Sequence, residues 1–171
     1  RFGPGERLLQ SGIGGVTWNQ TMSRRGAFEA ARGQVPAATR RRLFNDYIAD
    51  PVDGASPHGL TYGLARLQRG ELLSPASTRH MLSTLAQTRT GPNRLGGGLA
   101  PGWVLGHKTG TGQVWGGEQA GYNDIGIITS PDGKHYALAA MIGRTGVPLA
   151  TRMRLMNEVT RAAIEYHNTR R

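Results

Sequence analysis

The chain has 171 residues, 37% apolar and 19% charged, enough for one domain or two small lobes around a real core. Nineteen arginines against two lysines give most of a net charge of +10, and the absence of cysteine excludes disulfides and thiol chemistry. The densest basic run, Arg40-Arg41-Arg42, has no interleaved aromatics on which bases would stack, so no specific nucleic-acid partner is expected.

No apolar run approaches the about 20 residues that a membrane span needs. The sequence opens without an initiating Met or an apolar h-region, the pattern expected of a processed chain or of part of a longer one. Glu6–Gln10 reads as a short helix stopped by the glycines that follow. Ser23 is positioned to cap a helix through 27–31 that Gly33 would end, and Pro36 opens another through Arg40–Phe44. Ser56-Pro57 and Ser74-Pro75 each place a capping hydroxyl before a proline at the first helical position. Behind them, Leu60, Leu64 and Leu67, then Met81, Leu82 and Leu85, supply apolar faces. Arg89 to Asn93 ends the second of these helices, and Gly96-Gly97-Gly98 reads as a loop.

After residue 102 the period changes to that of strands. Residues 103–108, 121–129 and 136–142 form an antiparallel meander, with Ser130-Pro131-Asp132-Gly133 as the second turn. Pro148 opens a last helix whose stripe is Leu149, Met153, Met156 and Ala163. The fold class is therefore α+β: a helical lobe over residues 1–95, then a sheet with a C-terminal helix over 96–171.

The first strand runs into His107-Lys108-Thr109-Gly110-Thr111-Gly112. This segment offers an ammonium and two hydroxyls to a carboxylate, and glycines let a ligand approach the backbone. A strand edge of this kind can hold an extended amide-bearing anion as a further strand. His107 points to the face opposite Lys108 and is expected to pack in the sheet core. The five histidines show no metal-ligand spacing, and no helix follows Gly110-Thr111-Gly112 as a dinucleotide fingerprint requires. Neither a metal nor a cofactor is expected.

From about Gly59 onward the chain resembles the C-terminal half of the class A β-lactamase and penicillin-binding serine hydrolase family. The residues that carry the resemblance are Leu67-Gln68-Arg69-Gly70-Glu71-Leu72-Leu73-Ser74-Pro75, Pro101-Gly102-Trp103, Lys108-Thr109-Gly110, Asn123-Asp124-Ile125 and Ser130-Pro131-Asp132-Gly133, in that order. The resemblance implies an α/β sandwich acting on β-lactams or related amides and esters through an acyl-enzyme. It implies that Lys108 adds positive potential beside the nucleophile, and that Thr109 binds the substrate carboxylate. Gly110 would admit the acyl-amide side chain, and the Thr111 N–H would be one of two oxyanion donors. The position where some members carry a carboxylate-binding arginine is Asn123 here, with Arg152 or Arg154 as possible substitutes.

The departures are as informative. The chain contains neither Ser-x-x-Lys nor Ser-Asp-Asn. The nucleophile and the second oxyanion donor are thus expected outside it, and the 171 residues alone are expected to be inactive. The omega-loop-like region, about 15–55, lacks Glu-x-x-Asn, and Glu29 is its only glutamate. Trp115, Glu118 and Gln119 lie in a long hairpin, placed either to border a cleft or to cap the sheet. A diverged, non-catalytic binding module is the alternative. The resemblance implies a periplasmic or secreted location. It also implies a partner, the N-terminal half of the same fold or a second copy, to cover an open edge at 136–142 and a Met153/Met156 stripe.

Overall fold

Both Ser-Pro dipeptides do start helices. In the computed structural model, which describes residues 24, 26–51 and 54–170, the Ser56 hydroxyl accepts the Gly59 N–H at 3.0 Å and the Ser74 hydroxyl accepts that of Ser77 at 3.2 Å. The expected helix at Glu6–Gln10 and the capping Ser23 lie outside the described residues. The chain forms two compact units, each described here by itself.

One unit contains α1 (Ala27–Gly33), α2 (Ala37–Ala49) and the hairpin tip Gln113–Ala120, with the short strand β2 (Val114–Trp115). Gly26 stands at the N-cap of α1 and Pro36 at that of α2. Phe44 is buried on α2. The guanidinium of Arg40 lies 4.3 Å from the centre of the Trp115 ring, so this tryptophan stacks on a cation of its own unit.

The other unit holds α3 (Pro57–Gln68), α4 (Pro75–Ala86), a 3₁₀ turn (Leu95–Gly98), β1 (Val104–Thr111), most of β3 (Glu118–Thr129), β4 (His135–Thr145) and α5 (Leu149–Asn168). The sheet is antiparallel and has four strands rather than three, because the hairpin contributes β2. β1 pairs with β3 from Val104↔Thr129 to Thr111↔Tyr122, and β2 continues with Val114↔Gln119. The two glycines at 116 and 117 turn the tip. β4 pairs with β3 as well; among the described residues no strand pairs with its other edge.

Side chains alternate across this sheet. Tyr122, Asp124 and Ile128 face the 3₁₀ turn and α5, where Leu95, Ile128, Leu138, Ala140, Met156 and Ile164 form the core. Three expectations are corrected here. The glycine run is a packing surface rather than a loop. A Cβ on Gly98 would lie 2.3 Å from the Asn157 carbonyl oxygen, and one on Gly97 would lie 2.7 Å from Asn157 Nδ2. Small residues are what let the turn sit against α5. The buried stripe of α5 is Met156, Thr160, Ile164 and His167, whereas Leu149 is exposed. Two of those four are polar because each has a partner. Thr160 Oγ1 donates to the Leu95 carbonyl at 2.8 Å, and His167 Nδ1 is 2.8 Å from the Tyr136 hydroxyl. Met156 is closed off by this chain itself rather than left open for a partner. Finally, Met81 projects outward while Leu82 and Leu85 line a cavity of about 750 Å³ between α4 and the start of β1.

Candidate functional site

The C-terminal half of β1 is held by a residue that sequence patterning passed over. Arg94 stands immediately before the 3₁₀ turn, more than nine-tenths buried. One terminal nitrogen donates to the carbonyls of Gly110 (3.0 Å) and Asn123 (2.7 Å), and the other donates to Thr111 Oγ1 at 2.6 Å. Its guanidinium carbon lies 3.9 Å from the centre of the Tyr122 ring. All these acceptors are neutral, and Nε has no hydrogen-bond partner among the described residues. A buried cation hydrogen-bonded to carbonyls and a hydroxyl, with the Asp124 carboxyl within electrostatic reach, brings a positive group to this strand end.

Thr109 and Thr111 share that region. Thr109 Oγ1 is 2.8 Å from Thr90 Oγ1, so the end of α4's loop supplies a third hydroxyl. Gly91 makes the approach feasible: with φ +61°, its absent Cβ would fall 2.8 Å from both Arg94 Nε and Thr109 Cγ2. Lys108 is exposed and on the opposite face, and its ammonium donates to the Thr109 carbonyl. Gly110 pairs with Asn123, whose Oδ1 accepts the Ile142 N–H at 2.9 Å and so ties β3 to β4. Arg152 donates from Nε to the Val147 carbonyl at 2.8 Å and lies 5.5 Å from the Tyr122 ring, while Arg154 bonds Thr151. Arg94 is thus bonded to the Lys108–Thr111 segment at Gly110 and Thr111.

On the same face of β1 as Thr109 and Thr111, His107 is buried as its alternation required, and it is also paired. Its Nδ1 lies 2.9 and 3.0 Å from the two carboxylate oxygens of Asp124, which is wholly buried. Asp124 Oδ2 also accepts the Leu95 N–H at 3.1 Å. Burial pushes the Asp124 carboxyl above its ordinary pKa; the hydrogen bond and charge of His107, the Leu95 N–H and the Arg94 charge oppose that rise. Among the described residues no cluster of three His, Cys, Asp or Glu is arranged to hold a metal.

The model of the β-lactamase enzyme family matches residues 7–167. The chain belongs to that family. It is 32% identical over 103 residues to the extended-spectrum β-lactamase PER-1 of Pseudomonas aeruginosa, covering 60% of this chain and 33% of that protein. To a β-lactamase of Mycobacterium tuberculosis it is 31% identical over 109 residues, 64% of this chain and 34% of that one. The crystal structure of the extended-spectrum β-lactamase TLA-3 superposes with a TM-score of 0.63 at 34% identity, over 66% of this chain and 41% of that one. The chain thus spans about a third of the length of these curated relatives, and the α+β fold is that of the family.

Arg94, Thr90 and Asp124 were not named as site residues from sequence, although two signals existed. Arg94 is the only charged residue between Arg89 and Lys108, and Asp124 is the only carboxylate between Glu118 and Asp132. A lone charge inside a run of small or apolar residues is a buried charge awaiting a partner.

Proposed function

We propose that this chain supplies the carboxylate-holding part of a serine acyl-transfer site that acts on β-lactams or related amides and esters. The observation that carries the reading is the buried Arg94 guanidinium, whose hydrogen-bond acceptors are all neutral, bonded to the Thr111 hydroxyl beside Thr109 and Thr90. A ligand carboxylate at this strand end would meet the Thr109 and Thr111 hydroxyls under the field of Arg94. Gly110 leaves room for an acyl-amide chain along β1, and the Thr111 N–H serves as an oxyanion donor. Lys108 swings its flexible stem from the Thr109 carbonyl to bring positive potential to the attacking hydroxyl.

That hydroxyl comes from polypeptide outside these residues, since no Ser-x-x-Lys occurs within them. The same polypeptide, or a second copy, covers the free edge of β4, whose backbone groups need partners once buried. An exported, periplasmic or secreted protein fits the reading. The missing nucleophile motif also favours a second reading, a binding module that captures such anions without chemistry.

A fluorescent penicillin offered to the complete gene product separates them. Covalent label on a serine outside residues 1–171, reduced about tenfold or more by Arg94→Ala, is the expected result. Reversible binding without label supports the module. Label that is indifferent to Arg94→Ala removes the carboxylate role altogether.

A further inference from the structure

Two residues of the site are neighbours, in sequence, of residues bonded to one buried carboxylate. Leu95, whose N–H donates to Asp124 Oδ2 at 3.1 Å, directly follows Arg94. His107, whose Nδ1 faces both Asp124 oxygens at 2.9 and 3.0 Å, directly precedes Lys108. Asp124 therefore joins β3, β1 and the 3₁₀ turn at a single point, with no exposed surface of its own.

The turn is gripped from its other side too. Asn157 on α5 donates from Nδ2 to the carbonyls of Asn93 (2.9 Å) and Arg94 (2.5 Å), and Thr160 donates to that of Leu95 (2.8 Å). The backbone at Arg94 is thus fixed through its carbonyls by α5 and through the next N–H by Asp124. Among the described residues, the Asp124 bond is what ties this backbone directly to the strands that carry the ligand groups. Arg94 reaches Gly110, Asn123 and Thr111 through a long side chain, so a small shift of its backbone changes where the guanidinium sits.

We propose that Asp124 is a positioning residue: without touching ligand, it registers the Arg94 turn against β1 and thereby sets the preference for carboxylate-bearing ligands. The role is one of position: the carboxylate has no exposed surface with which to meet a ligand, and it acts by giving the Leu95 N–H an oxygen. It rests on the reading of the site given above.

The test uses the complete gene product with penicillin G and its methyl ester, comparing second-order rate constants for covalent labelling. The native protein is expected to prefer the acid. Asp124→Ala, or Asp124→Ser if the alanine variant does not fold, removes the acceptor of the Leu95 N–H. Either is expected to cut the acid-over-ester preference about tenfold while the ester rate stays within about twofold. Asp124→Asn keeps an oxygen for Leu95 and is expected to keep the preference. On an Arg94→Ala background, shortening Asp124 should change the preference no further.

Equal losses for acid and ester in the shortened variants would make Asp124 a structural residue only and overturn the proposal. So would a lost preference in Asp124→Asn, which would assign the effect to charge. A native protein that does not distinguish acid from ester overturns the carboxylate reading itself, and the positioning role with it.

Discussion

On the face of the sheet that meets the 3₁₀ turn and α5, Leu95, Ile128, Met156, Thr160 and Asp124 have essentially no exposed surface. On the face that meets α3 and α4, Leu82, Leu85 and Val104 border a cavity of about 750 Å³, and Val104 is 62% exposed. Both faces flank the same β1. The closed face buries its polar groups in pairs and fixes the strand's backbone, whereas the open face presents the Lys108 side chain to solvent.

The closed face should be the less tolerant one. Met156→Ala is expected to cost about 3–4 kcal/mol, because a fully enclosed side chain leaves a cavity that its neighbours fill poorly. A urea titration of the chain measures this, and a loss below about 1 kcal/mol would mean that the α5 face is not packed as described. Gly98→Ala is expected to cost about 2–3 kcal/mol, since its Cβ would meet the Asn157 backbone oxygen at 2.3 Å and either the turn or the helix must move. Gly143, whose Cβ would meet nothing within 4 Å, is the control. On the open face, Leu82→Ala should cost about 1 kcal/mol, because this side chain is only half-buried and already borders empty space. If Leu82→Ala costs as much as Met156→Ala, the contrast between the faces is lost.

The smallest expected effect is a slope with pH. Burial raises the folded-state pKa of Asp124 above its ordinary 3.8, so the folded chain binds that proton more tightly than the unfolded chain does. The resulting stabilisation is complete below the unfolded value and is lost as pH rises through the folded one. Subtracting the stability of Asp124→Asn from that of the native chain should leave a difference that falls as pH rises from about 3.8. A difference that grows with pH would mean that His107 and Arg94 outweigh burial.

Local chemistry carried much of the fold. Serine caps and N-terminal prolines placed α3 and α4, and period-two patterning with a Ser-Pro-Asp-Gly turn placed β1, β3 and β4 within a few residues. The hairpin strand β2 was missed because two residues are too short to show a period, although the Gly116-Gly117 pair pointed to a turn. The α5 stripe was misread because a search for apolar residues discards Thr160 and His167, which are buried by virtue of distant partners. The Lys108–Thr111 segment was legible from its own residue types as a strand end bearing an ammonium and two hydroxyls.

By itself, then, the sequence determined the longer helices and strands from α3 onward, the order in which they come, and the strand that offers an ammonium and two hydroxyls. Only the tertiary structure decided that Arg94 is bonded to that strand, that Asp124 is buried beside Thr109, and that the glycine run is a contact surface. Capping and periodicity are written within a few residues of chain, so they can be read locally. The bonds from Arg94 to Asn123, from Leu95 to Asp124 and from Thr160 to Leu95 join residues 29, 29 and 65 positions apart, and such partners are set only when the elements pack.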